Sequence, residues 1–162
     1  QKLFGADALK LAGRSMAPVL AVPDDAKAKS GIKRIIFPYG SHGNFDNKTA
    51  IVGKLANSFG ADVHFYSINK PSQEASKEVN LKIKDAAESF EADGIKVEQV
   101  REEMKEYSVG FANQTLKYAE ESGADVIAVM ANDDGKLAVI SSVDRESLIN
   151  NDRGISILLV AE

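Results

Sequence analysis

Apolar positions along this chain follow two spacings that alternate from residue 33 onward. Short continuous apolar runs predict buried strands, and stripes at i, i+3 and i+4 predict helices packed on them. Arg34-Ile35-Ile36-Phe37-Pro38 is such a run, stopped by proline. Asn44-Phe45-Asp46-Asn47 then offers capping residue types before the stripe Ile51, Val52, Leu55, Ala56 and Phe59, with Gly60 just past its C-cap. Residues 61–68 (ADVHFYSI) are rich in β-branched and aromatic side chains and predict a second strand. After Pro71-Ser72, the positions Ala75, Val79, Ile83, Ala86 and Phe90 share one face of an amphipathic helix that ends near Gly94.

Residues 95–100 alternate apolar and polar, as a strand with one wetter face does, and the acidic stretch 101–106 is expected to be a connector. Val109, Ala112, Leu116 and Ala119 mark a further helix closed by Gly123. Val126 to Met130 is the most continuously apolar strand so far, which predicts a central place in a sheet. A helix near 142–150 and a strand over 155–160 complete the succession. Strands alternating with helices predict an α/β fold. Its core is a doubly wound, five-stranded parallel sheet with right-handed crossovers and helices on both faces. In such sheets ligands bind beyond the carboxyl ends of the strands, near the switch in strand order. The loops 38–45 and 130–141 are then the candidate site.

An extra helix–strand unit precedes this pattern. Residues 4–23 give a stripe (Phe4, Ala8, Leu11) and then the apolar run Pro18-Val19-Leu20-Ala21-Val22. Residues 142–160 repeat the succession of short helix, Arg-containing turn and apolar strand, so the chain carries two copies of one closing unit.

Composition narrows the function classes. A chain of 162 residues, 44% hydrophobic and 27% charged, is ordinary for a globular domain. The net charge of −4 and the scatter of Lys27, Lys29, Lys33 and Lys54 among acids give no nucleic-acid surface. The absence of cysteine excludes disulfides, thiol catalysis and cysteine-held zinc. No apolar run approaches the ~20 residues of a membrane helix and no signal peptide is visible, so the expected compartment is the cytoplasm. The chain opens on Gln1-Lys2-Leu3-Phe4 without an initiator methionine, which suggests a fragment or a processed form.

The stretch RIIFPYGSHGNFDNKTAIVGKLANSFGADVHFYSI resembles the opening strand–helix–strand of the universal stress protein family, and TLKYAEESGADVIAVM resembles its helix leading into the fourth strand. FGADALKLAGRSMAPVLAVP is similar to the family's closing helix and final strand, with Gly5 and Pro18-Val19-Leu20 in matching places. The resemblance implies three segments: residues 1–25 as the tail of a preceding domain, 26–32 as a linker, and 33–162 as a stress-protein-like domain. It also implies five parallel strands with four helices, and dimers in which final strands pair antiparallel. Some members bind ATP, through an aspartate past the first strand, a G-x-x-G loop after the fourth, and a later Gly-Ser/Thr.

Those positions do not carry over. Gly40 stands where the aspartate would fall after Pro38 and Tyr39, and is followed by Ser41. In VMANDDGKLAVISS, Met130 ends the strand, and the loop glycines fall on Ala131 and Asp134 around Asn132. The later Gly-Ser corresponds to Ser141-Ser142 at a shorter spacing. Asp133 and Asp134 would repel a triphosphate, and a Cβ at Ala131 or Asp134 stands where backbone N–H groups should crowd the oxygens. ATP is therefore not expected as a cofactor. Gly135, Lys136, Ser141 and Ser142 leave room for a smaller anion.

The remaining polar candidates are more simply structural. Ser41 and His42 are adjacent and lack a fixed acid partner, which favours a glycine turn over a nucleophile–base pair. His64 lies inside a strand, as a packed histidine does. Asp133, Asp134 and Asp144 lack the dense spacing of a calcium loop, so no metal is expected. The sequence thus predicts a non-catalytic domain acting in stress response through dimerisation or tandem-domain association, with Val19, Leu20, Val22, Ile157, Leu158 and Leu159 at the interface. A nucleotide-binding sensor or slow ATPase, and a binder of a small non-phosphate ligand, are the alternatives.

Overall fold

The computed structural model describes residues 12, 14–41, 44–71, 75–105, 110–131 and 144–161. Its strands are β1 (Val19–Ala21), β2 (Arg34–Pro38), β3 (Asp62–Asn69), β4 (Val97–Glu103), β5 (Val126–Ala131) and β6 (Ser156–Ala161). The helices are α1 (Asp46–Phe59), α2 (Lys77–Ala92), α3 (Gly110–Glu121) and α4 (Asp144–Ile149). One sheet holds the strands in the order β1-β6-β5-β2-β3-β4, all parallel except β1, which runs antiparallel to β6. The five parallel strands are those the sequence predicts. The sixth comes from the extra N-terminal unit, which joins the same sheet.

Two apolar layers cover the sheet. On one face, Val52 and Ala56 of α1 and Val79, Ile83 and Phe90 of α2 pack on Ile35, Phe37, Val63 and Phe65. Phe65 stacks on Phe90 at 5.6 Å and Phe37 meets Phe65 at 4.8 Å, which ties α2 to β3 and β3 to β2. On the other face, Ala112, Leu116 and Ala119 of α3 and Leu148 of α4 pack on Ile36, Ile127, Ile157 and Leu159, with Ala12 in the same layer. β5 and β2 stand at the middle of the sheet, so β5 is buried along its whole length.

The amino-terminal ends of the strands are locked by polar clamps. The Asp125 carboxylate accepts the main-chain N–H groups of Lys33 and Arg34 at 2.7 and 3.1 Å, which fixes the start of β2 against β5. The buried Asn151 amide donates to the carbonyls of Leu148 and Ile155 and accepts from the N–H groups of Arg153 and Ile155, which sets the turn into β6.

Three sequence expectations need correction. β4 continues to Glu103 instead of ending in an acidic connector at 101, because β3 pairs with it as far as Asn69↔Glu103. Residues 26–32, the expected linker, lie against the domain. Ala26 is buried, Lys27–Ser30 form a 3-10 turn, and the Lys27 N–H donates to the Gly154 carbonyl at 2.9 Å. The N-cap of α1 is Phe45, without a side-chain hydrogen bond, while the Asn47 amide reaches the Ala161 carbonyl. Phe59 is half exposed at the far end of α1, outside the stripe that packs.

Gly154 adopts φ +70°, and a Cβ there would lie 2.8 Å from the Asp25 carbonyl oxygen. Gly154→Ala is therefore expected to cost about 1–3 kcal/mol, from left-handed strain and from overlap with main chain that cannot rotate away. Urea unfolding measures this, and an unchanged midpoint would mean that residues 24–27 do not pack there.

Candidate functional site

The candidate site lies where the β2–β5 ladder stops. β2 pairs with β3 along all five residues and β5 with β6 along all six, but β2 and β5 share only Ile35↔Val126 and Ile36↔Ile127. Their carboxyl halves are unpaired with each other. Strand order also reverses between these two strands, the position at which open α/β sheets hold ligands.

Pro38, Tyr39, Gly40 and Ser41 lie at the carboxyl end of β2, and Met130 and Ala131 at that of β5, so the fold brings these two groups to one end of the sheet. Tyr39, Met130 and Ala131 are buried, Gly40 is half-buried and Ser41 is exposed. Asn132, Asp134, Ser141 and Ser142 lie outside the described residues, as do His42, Asp133, Gly135 and Lys136. The Tyr39 N–H donates to the Tyr66 carbonyl at 2.9 Å, and its buried hydroxyl has no hydrogen-bond partner among the described residues.

Lys48, in the first turn of α1, is a site residue that sequence reasoning missed. It is 3% exposed, its ammonium donates to the Pro38 carbonyl at 2.7 Å, and its nitrogen stands 4.1 Å from the centre of the Phe37 ring. Burial pushes its pKa down to about 7. A positive charge in a first helical turn is also opposed by the helix dipole. A signal for it exists in the sequence: Lys48, Val52 and Ala56 are spaced by four and are the buried residues of α1.

His64 is a packed residue, as its place inside a strand implies. Its Nδ1 meets the Tyr118 hydroxyl at 2.7 Å, and its Nε2 lies 3.4 Å from the Glu98 carboxylate. Burial and then the Arg34 charge lower its pKa, so the ring is neutral at pH 7. No cluster of three or more His, Asp or Glu residues with metal-binding geometry occurs among the described residues. The residues expected at an interface stand in one chain: Val19 pairs with Leu159 and Leu20 with Leu158, while Ile157 faces Ala21 and Val22 lies beyond the strand.

The unfolded chain holds the Lys48 proton up to about pH 10.4, whereas the folded chain releases it near 7. Between these values the unfolded state binds more protons, so folding stability rises with pH. Compared with Lys48→Met, the wild type is expected to gain up to about 1.4 kcal/mol per pH unit above pH 7 and to run parallel below it. Urea unfolding from pH 6 to 9.5 tests this; parallel lines throughout would mean that the ammonium stays charged in the fold.

No protein-family model matches the sequence, and no curated protein is significantly similar to it. Solved structures do match. A universal stress protein from Archaeoglobus fulgidus DSM 4304 superposes with a TM-score of 0.67 at 18% identity, over 93% of this chain and 51% of that one, so this chain spans about half its length. A universal stress protein in complex with cAMP gives a TM-score of 0.56 at 12% identity, over 80% of this chain and 97% of that one. The universal stress protein from Archaeoglobus fulgidus in complex with dAMP gives 0.52 at 13% identity, over 80% of this chain and 96% of that one. At these identities the likeness concerns architecture alone, and the architecture of this chain is the universal stress protein fold.

Proposed function

We propose that this chain is a universal stress protein-like domain that acts in stress response, without catalysis, through association of its sheet edge with a tandem domain or a second copy. The observation that carries this reading is the antiparallel pairing of β1 with β6. In that reading residues 1–25 are the closing helix–strand unit of a preceding domain, 26–32 connect, and 33–162 form the domain proper. A match over nearly all of this chain but half of the Archaeoglobus protein is consistent with a two-domain arrangement. The proposed compartment is the cytoplasm and the proposed partners are proteins. The net charge of −4 supports no nucleic-acid partner, and no described helix is long and apolar enough to cross a membrane.

ATP is not its cofactor in this reading. Gly40 offers no carboxylate, the Ala131 Cβ occupies the end of β5, and the buried Lys48 ammonium already holds the Pro38 carbonyl. A second reading, a nucleotide-binding sensor or slow ATPase using Tyr39, Gly40, Ser41, Asn132, Ser141 and Ser142, is favoured by the cAMP and dAMP carried by structural neighbours.

Calorimetric titration with magnesium-ATP and with AMP separates the two. No binding is expected at millimolar nucleotide, and micromolar binding would establish the second reading instead. Gel filtration with light scattering tests the edge. The full chain is expected to be monomeric, and a chain lacking residues 1–25 to dimerise or associate further, because β6 loses its partner. A monomer in both cases would refute association through this edge.

A further inference from the structure

A phenol, an imidazole and a carboxylate line up between α3 and the β3–β4 side of the sheet. The Tyr118 hydroxyl, from the last turn of α3, lies 2.7 Å from Nδ1 of His64 on β3. Glu98 is the register partner of His64 on β4, and its carboxylate lies 3.4 Å from Nε2. A carboxylate only accepts, so Nε2 carries the ring proton and Nδ1 offers its lone pair to the phenol. Burial and then the Arg34 charge, helped by Lys96, outweigh Glu98 and Asp62 and hold the His64 pKa down, which leaves the ring neutral and open to a proton. Burial and then Glu98, with Glu102, raise the Tyr118 pKa against Arg34, so the phenol keeps its proton at pH 7. The Tyr118 ring also stacks on Tyr66, with centroids 4.4 Å apart and planes within 8°. Tyr39 and Tyr66 are buried, whereas Tyr118 is half-buried and open to small solutes. This chain has no cysteine and no tryptophan, which leaves tyrosine as its readiest one-electron donor.

We propose that Tyr118 is a redox-active tyrosine that traps small oxidising radicals, with His64 as the acceptor of its proton. The oxidant, a neutral oxygen-centred radical such as a peroxyl or chlorine dioxide, takes one electron from the phenol and becomes an anion. The phenolic proton crosses to Nδ1, leaving a neutral tyrosyl radical and an imidazolium whose Nε2 faces Glu98. Without that acceptor the phenol would have to pass through a radical cation, a charge that a half-buried apolar layer disfavours. Tyr66 gives the electron-poor ring a polarisable neighbour and covers one of its faces against coupling to a second radical. A one-electron donor from solution, such as ascorbate, restores the phenol as Nδ1 returns the proton. The trap needs neither nucleotide nor the sheet edge, so failure of either of those leaves it standing.

Chlorine dioxide, which becomes chlorite on taking one electron, is the probe, followed by stopped flow on the full chain at pH 7. The chain is expected to consume it in a phase at least about tenfold faster than N-acetyltyrosinamide does, within the worth of a positioned proton acceptor. Mass-spectrometric peptide mapping should place the oxidised product at Tyr118. Tyr118→Phe removes the fast phase. His64→Gln removes it too, since an amide oxygen can accept the hydrogen bond but cannot take the proton. The wild-type phase slows in heavy water, which packing alone would not cause and which needs no variant to fold. A chain no faster than the free amide, a fast phase that survives Tyr118→Phe or His64→Gln, or one indifferent to heavy water overturns the proposal.

Discussion

The short ladder between β2 and β5 is the constraint from which the rest of the structure follows. Asp125 takes two main-chain N–H groups at the start of β2, and a charged acceptor makes such bonds roughly twice as strong as neutral ones. Arg34 reinforces the same end by donating to the Ser122 carbonyl and pairing with Asp62 at 3.1 Å. With the amino ends clamped and pairing ended at Ile36↔Ile127, the strands are joined at one end only. Pro38 adds to this because it has no N–H to offer a ladder. The place where a ligand would enter is thus fixed by what happens at the opposite end of the sheet.

A lysine buried at that open end poses an energetic question that magnitudes decide. A hydrogen bond to a charged donor contributes roughly 1.5–3 kcal/mol and a desolvated cation–π contact about 2 kcal/mol. Desolvating an ammonium costs several kcal/mol even after relaxation, and no described carboxylate offsets it. The neutral amine is the cheaper form to bury, which agrees with the direction of its pKa. The same amine can still donate to the Pro38 carbonyl once neutral, so the link from α1 to β2 survives deprotonation.

Much of this fold is legible in the sequence because its central strands are buried on both faces. Ile35-Ile36-Phe37 and the run from Val126 to Met130 are continuous apolar blocks, too short for a helix and too apolar for a surface strand. The parts that are not legible depend on distant partners. Residues 101–103 look like a connector because β4 is an edge strand, where charge is favoured, and only its pairing with β3 reveals its length. The segment from Asp24 to Gly31 looks like a linker because the carbonyl that anchors it belongs to Gly154, far along the chain. Asn47 looks like a cap because its type allows it, yet its amide serves the end of β6. At Lys48 the spacing is present but easy to discount, since lysine on an apolar stripe usually extends its charged end to solvent.

The edge of the sheet shows how a sequence stops a structure from growing. β6 is apolar and buried over nearly all its length, and as a bare edge it would recruit another strand. β1 covers it at three positions, Ile157, Leu158 and Leu159, and in doing so becomes the edge itself. Pro18 and Pro23 flank the short run that forms β1 and lack the N–H groups that a longer ladder would need. What remains outward is a three-residue strand with Leu20 exposed at its centre, too short to template a further one. Whether β6 is open as an edge is therefore set by whether β1 stays on it, and the segment that follows β1 is docked at the entry to β6 by the Lys27 N–H donating to the Gly154 carbonyl.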